Sequence, residues 1–192
     1  MEKDQQNPDT ALLIMDIQEG TVSRLGDNAP ALLQTLTGAI AAARKAGIPV
    51  IYVVVGFRKN FPEISLHNLS FGALKQGGSV YKALEEPIAI DPAVSPQEGD
   101  IVITKRRISA FTGSDLAVVL SGLEVKHLVL SGISTSGVVL STLREAADKD
   151  FRLTVLSDGC ADMDPEVHTV LLSKVFPRQA AVVTAAEWAA KV

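Results

Sequence analysis

The sequence predicts an α/β protein in three layers, α/β/α, built on a six-stranded, mostly parallel sheet. Three observations predict it. Short continuous apolar runs recur along the chain, the mark of strands buried on both faces. They alternate with segments whose apolar residues return every three or four positions, the mark of helices with one buried face. No linker, repeat or low-complexity stretch divides the 192 residues, a length that one domain with a sizeable core accommodates. Such alternation argues a parallel sheet covered on both faces, with right-handed crossovers.

Residues 1–10 read as a flexible polar tail and residues 11–192 as the single domain. Ala11 to Met15 is the first buried strand, ending at Asp16. Asp27 reads as an N-cap with Pro30 in the first turn. Leu32, Leu33, Leu36, Ile40 and Ala43 then form one apolar stripe, and Arg44, Lys45 and Gly47 close that helix. Pro49 to Val55 is the second strand. From Gly56 to Gly99 the pattern weakens, broken by Pro62, Gly77, Gly78, Pro87, Pro92 and Pro96. A connection this long is usually functional, as a lid, a pocket wall or a subunit contact. Asp100 to Thr104 is the third strand, and Ser114 caps a short helix through Leu120. Leu128 to Leu130 begins the fourth strand, which reaches a small polar turn, Ser134 to Gly137. The helix that follows packs through Val139, Leu143, Ala146 and Ala147. Leu153 to Ser157 is the fifth strand. Asp164 and Pro165 open a helix with Val167, Val170, Leu171 and Val175 inward, Ala180 to Val183 is the sixth strand, and Ala185 to Lys191 a last helix.

Composition excludes several classes of function. A net charge of −4 gives no basic footprint, so nucleic acid is not an expected partner. No apolar run approaches the roughly 20 residues that span a bilayer, and Met1 to Thr10 lacks the apolar core of a signal peptide. One cysteine, Cys160, excludes an intrachain disulfide and fits a reducing, cytoplasmic compartment. The expected partner is a small molecule.

In doubly wound sheets the ligand sits beyond the carboxyl ends of the strands, near the switch in strand order. Asp16, Lys105, the Ser134–Val138 turn and Asp158 all fall at strand carboxyl ends. Each also has a plainer reading. Asp16 can cap a turn, Lys105 heads a basic triplet with Arg106 and Arg107 that can be a solvated face, and Asp158 before Gly159 can be a turn residue. Helix N–H groups at the Ser134–Val138 turn favour negative charge there, while Ser134, Thr135 and Ser136 read as caps for those same groups.

Three blocks carry a resemblance that runs from Ala11 to about Glu187. The first is Leu12-Leu13-Ile14-Met15-Asp16-Ile17-Gln18, the second Lys105-Arg106-Arg107-Ile108-Ser109-Ala110-Phe111, and the third Gly132-Ile133-Ser134-Thr135-Ser136-Gly137-Val138-Val139, continued in register by Thr142 and Ala146. In this order they resemble the isochorismatase-like family of cysteine hydrolases, which includes nicotinamidases and N-carbamoylsarcosine amidases. The resemblance implies the isochorismatase-like fold and an Asp-Lys-Cys triad. Asp16 would be the general base and Lys105 would hold charge beside it. The turn Ile133, Ser134 and Gly137, with Phe111 and Gln18, would form the pocket and receive an oxyanion. It further implies a cis peptide between Ile133 and Ser134, and a homodimer or homotetramer with Phe57, Phe61 and Phe71 in a subunit contact or pocket wall.

The sequence departs from the pattern at the nucleophile. The resemblance places the cysteine at position 138, where this chain carries Val138, and an isopropyl group cannot attack a carbonyl. Cys160 lies after the fifth strand and reads as a small buried apolar residue. No histidine is evidently placed to activate a hydroxyl at the turn: His67 falls in the long loop, His127 before a strand, His168 inside a helix pattern. The loop after the second strand offers His67 without the Asp-x-His of metal-binding relatives, so neither a metal nor another cofactor is expected. Arg58 and Lys59 can meet an anionic ligand or water. Two functions follow: a hydrolase working through Asp16 as general acid or base without a covalent intermediate, or a degenerate member that binds a small ligand without turnover.

Overall fold

The computed structural model describes residues 9–76 and 89–192; Gly77, Gly78 and Pro87 of the long connection lie outside them. Its sheet has six strands, all parallel: β1 (Thr10–Met15), β2 (Val50–Val55), β3 (Ile101–Lys105), β4 (His127–Ile133), β5 (Arg152–Ala161) and β6 (Ala181–Val183). Their order is β3-β2-β1-β4-β5-β6, so the expected parallel α/β/α architecture is present. The order reverses between β1 and β4, which opens a crevice beyond their carboxyl ends.

The helices are α1 (Glu19–Val22), α2 (Ala29–Lys45), α3 (Leu69–Gln76), α4 (Leu116–Gly122), α5 (Leu140–Asp148), α6 (Pro165–Val170) and α7 (Ala185–Ala189). Two buried clusters flank the sheet. Leu13, Met15, Val138, Val139 and Leu143 belong to the one that holds α4 and α5. Leu12, Ile14, Leu36, Ile40 and Trp188 belong to the one that holds α2 and α7. Alternate residues of β1 thus point to opposite layers, which is why its run is apolar without a break. Among the described residues no helix is long and apolar enough to cross a membrane.

Several boundaries differ from expectation, each for a local reason. Asp27 does not cap α2. It lies in a 3-10 segment, Ser23–Asn28, that runs on from α1 through a kink at Gly26 (φ 54°), and Asn28 at the helix start makes no side-chain cap either. Gly47 closes α2 as expected, at φ 69°. The long connection is not structureless, since it contains α3 and a short 3-10 turn at Pro92–Val94. Val167 and Val170 point outward, at 38% and 39% exposure, although Leu171 is buried. The inward face of this segment is instead His168, Leu171, Leu172, Val175 and Phe176 at helical spacing, and the two valines lie beside it.

Strand β5 does not stop before Asp158 but runs to Ala161, with an irregularity opposite Leu130 and Gly132. Asp158 Oδ1 accepts the N–H of Ala185 at 2.7 Å and so holds the start of α7. Thr184 and Glu187 complete a reciprocal cap there.

Candidate active site

Asp16 is the first residue beyond β1, and its N–H still donates to Val53 O at 2.8 Å. Its backbone then turns left-handed, φ 56°, a conformation that aspartate tolerates better than most residues but that still stores strain. Lys105 ends β3, two strands away. Its side chain is 2% exposed, so the reading of the basic triplet as a solvated face fails for this residue. Lys105 Nζ meets Asp16 Oδ2 at 2.9 Å, and also donates to Arg107 O at 2.9 Å and Ile108 O at 3.2 Å. An ammonium has three N–H donors, and all of them are thereby engaged within the protein.

The other carboxylate oxygen, Asp16 Oδ1, is buried and has no hydrogen-bond partner among the described residues. Burial pushes the Asp16 acid above the ordinary carboxylate range, more than the neighbouring ammonium pulls it down. Gln18 buttresses the same corner. Its Nε2 donates to Val55 O at 3.1 Å and its Oε1 accepts the Val55 N–H at 2.9 Å, tying the end of β1 to the end of β2.

The third wall comes from β4. Met15 pairs with Gly132, so Ile133 and the turn begin directly beside Asp16. Gly132 is required at this contact: at φ 147° a Cβ would lie 2.3 Å from Met15 O. The Ile133–Ser134 peptide is cis, as the resemblance implies. Thr135–Val139 then forms one π turn before α5, a feature that often marks functional sites. Val138 is 2% exposed, in the same apolar cluster as Met15 and Phe111. The segment carrying Phe111 is fixed on α5: the Ala110 N–H donates to Thr142 Oγ1 at 2.9 Å, and the Ser109 hydroxyl to Glu145 Oε2 at 2.6 Å.

The hydroxyls of the turn do not cap it. Ser134 makes no side-chain cap bond. The Thr135 hydroxyl instead lies 2.8 Å from His168 Nδ1, and the Ser136 N–H donates to Asp162 Oδ2 at 2.7 Å. Neither His168 nor Asp162 was visible as a partner of this turn in the sequence. The available signal was the Asp164-Pro165 helix start, which does cap α6 and carries His168 toward the sheet's carboxyl edge.

The remaining candidates fall elsewhere. Cys160 is buried after the β5 irregularity, with burial pushing its thiol up to about 12, so it holds no thiolate at neutral pH. Phe61 and Phe71 each pack edge to face on Phe57 and, with Ile64, form a small core of their own after β2. Arg58 pairs with Glu63 at 2.6 Å, and Arg107 donates to Glu63 O at 2.9 Å. Among the described residues no group of three or more His, Cys, Asp or Glu could hold a metal ion.

Fold and site together define a doubly wound α/β protein whose buried acid–ammonium pair sits at the switch in strand order. Comparison with known proteins places it further: the isochorismatase domain matches residues 10–187, and the chain belongs to the isochorismatase family. It is 34% identical over 179 residues to YecD of Escherichia coli O157:H7, described as an uncharacterized isochorismatase family protein, covering 90% of each chain. It is 29% identical to an Arabidopsis thaliana protein described as a probable inactive nicotinamidase, over 83% of this chain and 84% of that one. An isochorismatase family protein from Burkholderia thailandensis has the same fold, with a TM-score of 0.79 at 28% identity over 97% of each chain.

Proposed function

We propose that this protein is a hydrolase of a small molecule in which Asp16 is the general acid and base, with no covalent cysteine intermediate. The observation that carries the reading is Asp16 itself: a buried carboxyl raised in pKa, one oxygen on Lys105 and the other without a partner among the described residues. A polar atom left open in a buried place needs a reason, and a proton exchanged with substrate is one. On a vinyl ether, the Asp16 acid gives its proton to the terminal alkene carbon, and the resulting oxocarbenium ion adds water. The adduct loses a proton to the Asp16 carboxylate and then collapses, breaking the C–O bond to release an alcohol and a carbonyl product. Lys105 works through Asp16. Its N–H groups are engaged within the protein, so it sets the orientation and charge of the acid. Gln18 holds the same corner, while Ile133, Ser134, Gly137 and Phe111 frame the pocket beside Val138.

Val138 stands where the family resemblance calls for the nucleophile, and the one cysteine of the chain, Cys160, is a protonated thiol elsewhere. That supports a chemistry without acyl-enzyme. It also supports a second reading, a binding protein without turnover, which the description of the Arabidopsis relative favours. Exposed Leu66, in the loop after β2, and Leu69, at the start of α3, support a homodimer or homotetramer. The experiment is a turnover screen of the purified protein on small vinyl ethers, esters and amides. Hydrolysis of a vinyl ether is the expected result; no turnover on all three classes leaves the binding reading.

A further inference from the structure

The turn after β4 is held by two side chains of another segment. Asp162 follows β5, and its Oδ2 accepts the Ser136 N–H at 2.7 Å. Its Oδ1 accepts the Asp164 N–H at 3.2 Å, so the carboxylate is itself fixed. Burial raises this acid, but donation from Ser136, Met163 and Asp164 outweighs it and keeps the group ionised. His168 on α6 sets its Nδ1 2.8 Å from the hydroxyl of Thr135, which is fully buried. Burial holds this imidazole neutral at pH 7 despite the nearby Asp162 charge. Consecutive residues of the turn are thus gripped in two ways, one through a backbone N–H and one through a side-chain hydroxyl. Both grips fall just before Gly137 and Val138. Asp162 and His168 also line an open cleft of about 340 Å³ beside α2, together with Asn28, Leu32 and Asp158; neither Asp16 nor Lys105 reaches it.

We propose that Asp162 and His168 are positioning residues, which fix the Ser134–Val139 turn in the orientation it presents to Asp16. The inference rests on the reading of Asp16 as the reacting group, for without it the turn has nothing to be oriented toward. The wide π turn explains the need. Its hydrogen bonds are less regular than those of an α-helix, and Ser134 supplies no side-chain cap. External partners therefore set the direction of its N–H groups. A charge-assisted bond to a backbone N–H is among the stronger ones available.

The test separates positioning from general stability by using isosteric partners and a local readout. Asparagine at position 168 places a polar atom near that of Nδ1, and asparagine at 162 keeps an oxygen acceptor without the charge. Hydrogen exchange of the amides from Thr135 to Val139 is measured in the parent, His168→Ala, His168→Asn, Asp162→Ala and Asp162→Asn. The alanine variants should exchange at the turn about fivefold faster or more, the factor that one net hydrogen bond supplies. Strand β1 should be unchanged and the asparagine variants near the parent. Because the cleft opens on position 168, added imidazole should slow the exchange of His168→Ala back toward the parent. Turn exchange unchanged in both alanine variants, or raised equally in β1, overturns the proposal. Alkylation of Val138→Cys by iodoacetamide provides the second measurement. A thiol of ordinary reactivity, with turn exchange still responding, leaves the clamp standing and counts against the reading of the Asp16 site. Fast alkylation that slows several-fold in His168→Ala but not in His168→Asn supports both.

Discussion

Lys105 Nζ and Asp16 Oδ2 lie 2.9 Å apart and buried, although their strands are not neighbours, for β2 runs between β1 and β3. The pair closes a gap that the sheet's hydrogen bonds do not close. It is made at the carboxyl edge, between the last residue of β3 and the first residue beyond β1.

Removing one member of such a pair leaves a buried charge without compensation. Lys105→Met is expected to destabilise the fold by about 3–5 kcal/mol, less whatever protonation of Asp16 relieves. The double variant Asp16→Asn with Lys105→Met should recover much of that loss, since an amide and a thioether carry no charge. Denaturant titration of the two single variants and the double one measures this. Simple addition of the two single losses would show that the pair is not coupled.

Val138→Cys is expected to create amidase or esterase activity where the parent has none. On the reading of Asp16 and Lys105 as the reacting corner, the new thiol in the turn before α5 would be favoured as thiolate by the ammonium, and the turn's N–H groups would receive an oxyanion. Release of the product amine, with a burst that reports acyl-enzyme, is the readout. A variant that folds as the parent does and remains inert on amides and esters would show that the frame no longer supports a nucleophile.

Acid should weaken the fold through two half-buried histidines. His127 contacts the Thr10 and Thr154 hydroxyls at 3.2 and 2.9 Å, and His168 contacts Thr135. Burial lowers the pKa of both imidazoles below the usual 6.5. As pH falls through 6.5, the unfolded chain takes up protons that the native one refuses, so stability is lost from there down to the folded pKa values and is complete above it. Thermal melting between neutral pH and pH 5 should show this fall. The double variant His127→Asn with His168→Asn should flatten it, and an unchanged slope in that variant would exclude these groups as its source.

Much of this was legible in the sequence because the informative patterns are local. An unbroken apolar run such as Ala11–Met15 states that both faces are buried, and Asp16 at its end marks the edge where chemistry gathers. The separation of Asp16 from Lys105 is bridged by three short blocks whose order fixes their meeting. What escaped is the grip of Asp162 and His168 on Thr135 and Ser136, since partners 26 and 33 residues away carry no shared period. The outward turn of Val167 and Val170 escaped for another reason. The inward position one turn before Leu171 and Leu172 is taken by His168, which a count of apolar residues passes over.

The central claim is that Asp16 moves the proton, and Asp16→Asn tests it most directly because the amide keeps the shape and loses the acid. On the vinyl ether that turns over best, kcat/KM of the parent should hold at low pH and fall as pH rises through the raised pKa of Asp16, where the acid is lost. The Asp16→Asn variant, folded as judged by its melting, should be slower by about 10²–10⁴-fold and lack that alkaline limb. An Asp16→Asn protein as active as the parent, with the same pH profile, would contradict the account.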